Sequence, residues 1–459
     1  MENIPAHKRE FMGHPVGLFI LFFTELWERF SYYGMRAILV LFIYTSIEDG
    51  GMGWTQTEAL GLYGWYTMLV YLMSIPGGIL ADKVLGQKKT VMLGGVLLCI
   101  GHGVLALPGE IAFFTGLTFI VLGVGGLKPN ISTMVGGLYK QGDVRRDKGF
   151  TIFYIGINIG AFLAGIAVAW AANEFGWHYG FGLAGIGMLI GQAVFVWGQK
   201  YLVGIGDFIP ATSEDGTNNR AALTQVEKDR MSVMFLSFLI IIVFWGAFEQ
   251  AGGLMNIYTN EKIDRVVMGY EIPAGAFQSV NSLFIMIFGT IVAGFWAKRR
   301  LKGKEESSLF KMAIGTIIMG AGFLMMTAAA LEVDATEGAK GAVIWLVLAY
   351  LLHTIGELCA SPVALSFITK LAPVKYASFM MGAYFAATGL GNKVAGLLGE
   401  YSASWGELET FTGIAIFAII FGGLIIAILK PLKRLTHGAE ETEMEVETVN
   451  QTQGELVEN

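Results

Sequence analysis

Apolar stretches of about twenty residues recur from end to end of this chain, separated by short polar segments. A stretch of that length, wound as a helix, crosses a hydrocarbon layer of about 30 Å. Lipid offers the backbone no hydrogen-bond partners, so only helices or a closed barrel can span it. A barrel strand would alternate apolar and polar residues, which these stretches do not. The sequence therefore predicts an all-α membrane protein with about twelve spans. They lie near 15–44, 56–81, 90–107, 111–138, 148–172, 178–200, 231–258, 276–297, 309–330, 341–370, 376–401 and 409–430. Composition agrees: 15% of residues are charged, too few for a soluble surface, which needs roughly a quarter. The 62 glycines suit helices that must approach closely in lipid.

The charges test this map. With the N-terminus inside, 24 of the 31 Lys and Arg residues fall on the cytoplasmic side. Only Lys262, Arg265 and Lys340 lie outside, and Arg29, Arg36, Lys128 and Lys393 lie within spans. That bias is what the positive-inside rule requires. An odd helix count would scramble it, so both termini are expected in the cytoplasm of a plasma membrane, the inner membrane if the cell is bacterial. The expected organisation is a cytoplasmic N-terminus at 1–14, a six-helix bundle at 15–200, a linker at 201–230, a second bundle at 231–430 and an acidic disordered tail at 431–459. The two halves match transporters built from related repeats.

Other classes fit poorly. No metal-ligand spacing, nucleotide loop or Gly-x-Ser-x-Gly elbow is present, so neither an enzyme nor a cofactor is expected. The net charge of −6 comes largely from the tail and points to no nucleic acid. Cys99 and Cys359 fall in spans and read as small buried residues. His102 and His353 also lie in spans and read as hydrogen-bonded structural groups. Tyr63, Tyr66 and Tyr71 are as readily packing as pocket, and Pro76, Pro129 and Pro362 as readily kinks.

Span one carries the sharpest chemistry: Glu25-Leu-Trp-Glu28-Arg29-Phe30-Ser-Tyr32-Tyr33-Gly34-Met-Arg36. At about 100° per residue, Glu25, Arg29, Tyr32 and Arg36 share one stripe, flanked by Glu28 and Tyr33. A salt bridge between Glu25 and Arg29 explains one pair and leaves Glu28 and Arg36. Charges this deep are costly unless they face one another or a wet cavity. Across the halves, Arg29, Arg36 and Lys128 lie in the first and Glu249 and Glu357 in the second. Ion pairs that form on one face and break on the other would supply the bistable element of an alternating-access carrier.

Gly78-Ile-Leu-Ala-Asp82-Lys83-Val-Leu-Gly86-Gln-Lys88-Lys89, between spans two and three, resembles the loop motif of the major facilitator superfamily. Glu25-x-x-Glu28-Arg29-Phe30, Lys128-Pro129-Asn130, Phe153-Tyr154-Ile-Gly-Ile-Asn158, Phe244-Trp245-Gly-Ala-Phe-Glu249-Gln250, Phe277-Gln-Ser-Val-Asn281 and Gly356-Glu357-Leu-Cys-Ala-Ser361-Pro362 together resemble the proton-dependent oligopeptide transporter family. Bacterial members often insert two helices between the halves; a linker of about thirty residues is too short for them.

The resemblance implies the major facilitator fold and a symporter importing di- and tripeptides with protons. The alternative is a related proton-coupled carrier of another small anionic or amino-acid-like solute. By resemblance, Arg29, Lys128 and Tyr33 hold the peptide carboxylate, and Asn158, Asn281 and Glu357 hold its amino end. Tyr66 and Trp245 line side-chain space, and Tyr154 and Ser361 belong to the same site. Glu25, Glu28, Arg29 and Glu249 couple the proton. Arg36 with Glu249, nearer the outside, and Lys128 with Glu357, nearer the inside, are expected gates. The expected partners are peptide, proton and lipid bilayer, with the monomer as the working unit.

Overall fold

The structure is a computed structural model that describes residues 5–140, 143, 145–208, 223–336, 338–373 and 376–440. Twelve long helices account for most of it. In chain order they are α1 (Val16–Tyr44), α2 (Gln56–Leu85), α3 (Gln87–Leu105), α4 (Glu110–Gly137), α5 (Arg146–Phe175), α6 (Trp177–Tyr201), α7 (Gln225–Lys262), α8 (Ala274–Leu301), α9 (Ser308–Asp334), α10 (Val343–Leu371), α11 (Ala377–Trp405) and α12 (Glu407–Ala427). Ten of these are long and apolar enough to cross a membrane. The other two, α1 and α11, have 29 residues each. They are long enough to span; α1 is set apart by Glu25, Glu28, Arg29 and Arg36, and α11 by Lys393, Glu400 and many small or polar residues.

The packing repeats between halves. In the first half α1 packs on α5 and α6, and α3 on α4 and α6; in the second, α7 packs on α11, and α9 on α10 and α12. The halves meet through two equivalent pairs, α2 with α11 and α5 with α8. Glycine makes the first of these possible. A Cβ on Gly64 of α2 would sit 2.8 Å from the Gly396 Cα of α11, closer than atoms pack, so the backbones touch there.

Several boundaries differ from the sequence expectation. Helix α7 starts at Gln225, inside the expected linker, because Thr224 and Glu227 form a reciprocal capping box. The linker residues 209–222 lie outside the described residues. The expected disordered tail begins with a helix, Leu429–Leu435. Beyond it, Arg230 donates to the Thr436 carbonyl at 3.0 Å, and His437 meets Asp229 at 2.7 Å. Residues 441–459 of that tail, and 1–4 of the N-terminus, lie outside the described residues. Helix α2 is interrupted at Met73 and restarts at Ser74, since Pro76 lacks the N–H that would continue the ladder.

The first and last described residues, Pro5 and Glu440, are separated by an even number of long helices and lie on one face, here called the basic face. On the opposite, far face, Ile263–Asp264 and Gly341–Ala342 form a short parallel bridge. The buried core shows how the halves sit. One continuous core joins the whole first half to the far-face part of the second, including Phe244, Tyr258, Phe323 and Phe411. The basic-face part of the second half, with Met234, Met312, Phe367 and Met380, forms a separate core. The core that joins the halves therefore extends to the far-face part of the second half only, while toward the basic face α2 and α11 still touch, Ile75 lying 3.7 Å from the Cβ position of Gly382.

Candidate functional site

The charged stripe of α1 is turned inward. Arg29 Nε donates to Glu25 Oε1 at 2.7 Å, and Glu28 Oε2 lies 2.7 Å from the same nitrogen. That second contact is off the N–H direction: both Glu28 oxygens and Glu25 Oε2 lack a hydrogen-bond donor among the described residues. All three side chains are buried. Two carboxylates thus share one guanidinium, leaving one negative charge in excess.

Two turns further along α1, Arg36 crosses to the other half. Its Nη1 donates to Glu249 Oε1 of α7 at 3.0 Å. Tyr63 of α2 donates to the other oxygen, Glu249 Oε2, at 3.1 Å. Asn256 of α7 donates to the Ala37 carbonyl at 2.8 Å, and Tyr44 to Glu261 at 2.6 Å. These bonds tie the halves together at the far face. Both oxygens of Glu249 are thereby satisfied, whereas the buried Arg36 Nε has no hydrogen-bond partner among the described residues.

Below this closure lies a central cavity of about 120 Å³. Tyr33, Tyr71, Tyr154 and Asn158 face it from the first half, and Trp245, Asn281 and Glu357 from the second. Asn281 Nδ2 donates to Glu357 Oε2 at 2.9 Å, fixing the carboxylate, and lies 3.0 Å from Thr354 Oγ1. Asn158 Nδ2 donates to the Tyr154 carbonyl at 2.9 Å, which leaves its amide oxygen free to accept. The wall is aromatic on both sides and carboxylate-bearing on one.

The expected cationic residues stand one layer back. Lys128 Nζ lies 3.8 Å above the ring of Tyr71, a cation–π contact. The Arg29 guanidinium is 5.9 Å from the ring centre of Tyr33. Neither cation lines the cavity. The expected inner pair is not formed: Lys128 rests on Tyr71, Glu357 is held by Asn281, and no ion pair joins the two. Tyr66 does not line the cavity; it is buried, and its hydroxyl has no partner among the described residues. Ser361 faces a narrower cleft, which it shares with Trp245.

Two expectations change. His102 and His353 are buried as expected, but neither ring makes a hydrogen bond among the described residues; His353 instead packs on Phe323 with ring centres 4.6 Å apart and borders the cavity. Both are apolar-packed rather than hydrogen-bonded groups. Tyr63 and Asn256 were not expected at the closure. Tyr63 resembles any packing aromatic in sequence, whereas Asn256, a polar side chain deep in a span, carried a usable signal.

A sequence model of the POT family matches residues 88–206 and 213–408. The chain is 36% identical to a peptide transporter of Yersinia enterocolitica, covering 94% of this chain and 97% of that one. It is 33% identical to a di-/tripeptide transporter of Lactococcus lactis, covering 95% of this chain and 99% of that one. Its structure is similar to the crystal structure of a mutant peptide transporter POT in complex with alafosfalin. The TM-score is 0.87 at 35% identity, covering 94% of this chain and 97% of that one.

Proposed function

Since this chain belongs to the POT family, we propose that it imports di- and tripeptides together with protons by alternating access between its two halves. The observation that carries this reading is the polarised cavity. It is closed at the far face by Arg36 and Glu249, which belong to opposite halves, and carries the Glu357 carboxylate on one wall. The names of the relatives, peptide and di-/tripeptide transporters, support the substrate class.

In this reading the basic face is cytoplasmic, in keeping with the positive-inside rule, and the bilayer is the plasma membrane. Peptides are zwitterions, so their two ends need opposite charges. Glu357, oriented by Asn281, takes the amino end with the Asn158 amide oxygen. The carboxylate goes to Tyr33 and to Arg29 and Lys128, which reach it when the halves close on the basic face and Lys128 leaves Tyr71. Closure brings Lys128 toward Glu357 as Arg36 releases Glu249, so one ion pair replaces the other. Trp245 and Tyr154, with Ser361 in the adjoining cleft, give space to side chains without reading them closely, and Tyr66 backs them without lining the cavity. The excess charge of the Glu25–Glu28–Arg29 cluster takes a proton, and Glu249 takes one when its pair opens. No cofactor takes part, and one chain suffices.

Both ends of one solute must meet both clamps. An extended residue adds at most about 3.6 Å, so a fixed gap selects two or three residues. Blocking an end should cost about 2–5 kcal/mol, as for one partner of a desolvated charge pair. The test is competition against labelled dialanine. Acetylated or amidated dialanine, free alanine and tetra-alanine should compete poorly, and dipeptides with other side chains well. End-blocked peptides that compete as well as dialanine would refute the two-clamp arrangement.

A further inference from the structure

Helix α12 takes its main support from α9 and touches α7 and α11 only lightly. Glycine sets that choice. A Cβ on Gly320 of α9 would lie 2.8 Å from the Ala415 carbonyl oxygen, and one on Gly422 of α12 would lie 2.7 Å from that of Ala313. These two helices therefore pack backbone to backbone. On its other side α12 stands off from α7 and α11 and leaves a groove of about 480 Å³. Gly246 and Ala247 of α7 and Gly413 of α12 are too small to fill it, and a Cβ on Gly413 would meet nothing within 4 Å. The groove is on the outside of the bundle, where lipid is the solvent: Phe417, on its wall, is 59% exposed.

The lining is apolar except at the far-face end, where α11 stops and α12 starts and where Glu409 and Thr410 stand. Trp405 lines that end and stacks on Tyr401 with ring centres 5.2 Å apart, both rings exposed. Aromatic rings of this kind sit at the level of the lipid headgroups. The Thr410 hydroxyl is engaged, donating to the Gly406 carbonyl at 2.7 Å. Glu409 is exposed, and its carboxylate has no hydrogen bond or ion pair among the described residues. From Glu409 the groove follows α12 inward to Ala418, about 14 Å of helix. That is the depth of one leaflet, half of a hydrocarbon core of about 30 Å. We propose that this groove is a lipid site selective for phosphatidylethanolamine. One acyl chain lies along it from the far-face leaflet, and the primary ammonium of the headgroup donates to Glu409. The chemistry separates this headgroup from phosphatidylcholine. A primary ammonium, like that of lysine, has three N–H donors to offer a carboxylate. The choline headgroup carries the same positive charge but has no N–H to donate.

Photolabelling tests the site. The full chain in vesicles receives a trace of phosphatidylethanolamine with a diazirine midway along one acyl chain, and mass spectrometry maps the adducts. They should fall on the groove segments 242–247, 394–398 and 413–418. Unlabelled phosphatidylethanolamine should displace the probe about twofold to fivefold better than phosphatidylcholine with the same chains, the range of one exposed charge contact. Glu409→Gln should keep the adducts and lose that preference. Gly413→Leu fills the open space, so it should remove most of the adducts while melting close to the unchanged chain. No transported solute enters the assay, so its outcome is separate from the peptide assignment. Equal displacement by the two lipids, a preference that survives Glu409→Gln, or adducts unchanged in Gly413→Leu would each overturn the proposal. Adducts absent from the groove segments would overturn it too, and a dimer seen by native mass spectrometry would then name a second copy of the chain as the occupant.

Discussion

Glu249 is the residue on which the far-face closure turns, since Arg36 and Tyr63 take one oxygen each. Glu249→Gln keeps the shape but removes both the charge and the titrating group. The buried Arg36 is then unpaired in the closed state, a penalty of about 2–5 kcal/mol. The mutant should still exchange peptide for peptide in vesicles yet lose gradient-driven accumulation; normal accumulation would remove Glu249 from the coupling. Glu305, in the α8–α9 link, provides a test by pH. Burial works against its charge, but hydrogen bonds from Ser307 and Lys433 outweigh that and hold its carboxyl at about 2, below the ordinary 4.5. A carboxyl depressed on folding stabilises the fold above its ordinary value, and that contribution fades as pH falls from about 4.5 toward 2. Glu305 is partly exposed, so the effect is small. Glu305→Gln should lower the melting temperature at pH 7 by no more than about 2 °C, with the difference shrinking at pH 3; a difference that grows there would contradict the assignment. The charged residues of α1 were legible in sequence because intramembrane charges are rare and spaced on one stripe. What they face was legible only in part: the i, i+4 spacing offers the Glu25–Arg29 pair, but not that Glu28 lies against the same guanidinium.

Helices were legible from apolar length, and their ends less so. Thr224-Gln-Val-Glu227 carried the capping signal for the start of α7, but it stands before the apolar run that the expectation followed. The contacts between helices were the least legible, because a glycine at a crossing looks like any other glycine. Gly396 illustrates the difference: a Cβ there would lie 2.7 Å from the Gly64 Cα across the α2–α11 contact, whereas Gly413 in α12 has nothing within 4 Å. Gly396→Leu should therefore destabilise by about 1–3 kcal/mol, the usual range for overpacking, and Gly413→Leu by far less. Thermal denaturation of the two variants side by side checks this, and equal losses would mean that the crossing is not tight.

At the scale of the whole molecule, two buried cores describe one state of a cycle. The core common to both halves runs along the far face, and the second half keeps a separate core toward the basic face. The sequence named the two ion pairs that would alternate; only the structure distinguishes the pair that is made, Arg36 with Glu249, from the pair that is not, Lys128 with Glu357. A carrier in this state awaits reversal, and the driving force must come from outside the cavity. Each unit charge moved across 100 mV carries about 2.3 kcal/mol, enough for a concentration ratio of about fiftyfold. The most direct measurement is uptake of labelled dialanine into proteoliposomes with acid outside and the interior negative. The account predicts accumulation above equilibrium that collapses when a protonophore is added, and accumulation undiminished by the protonophore would contradict it.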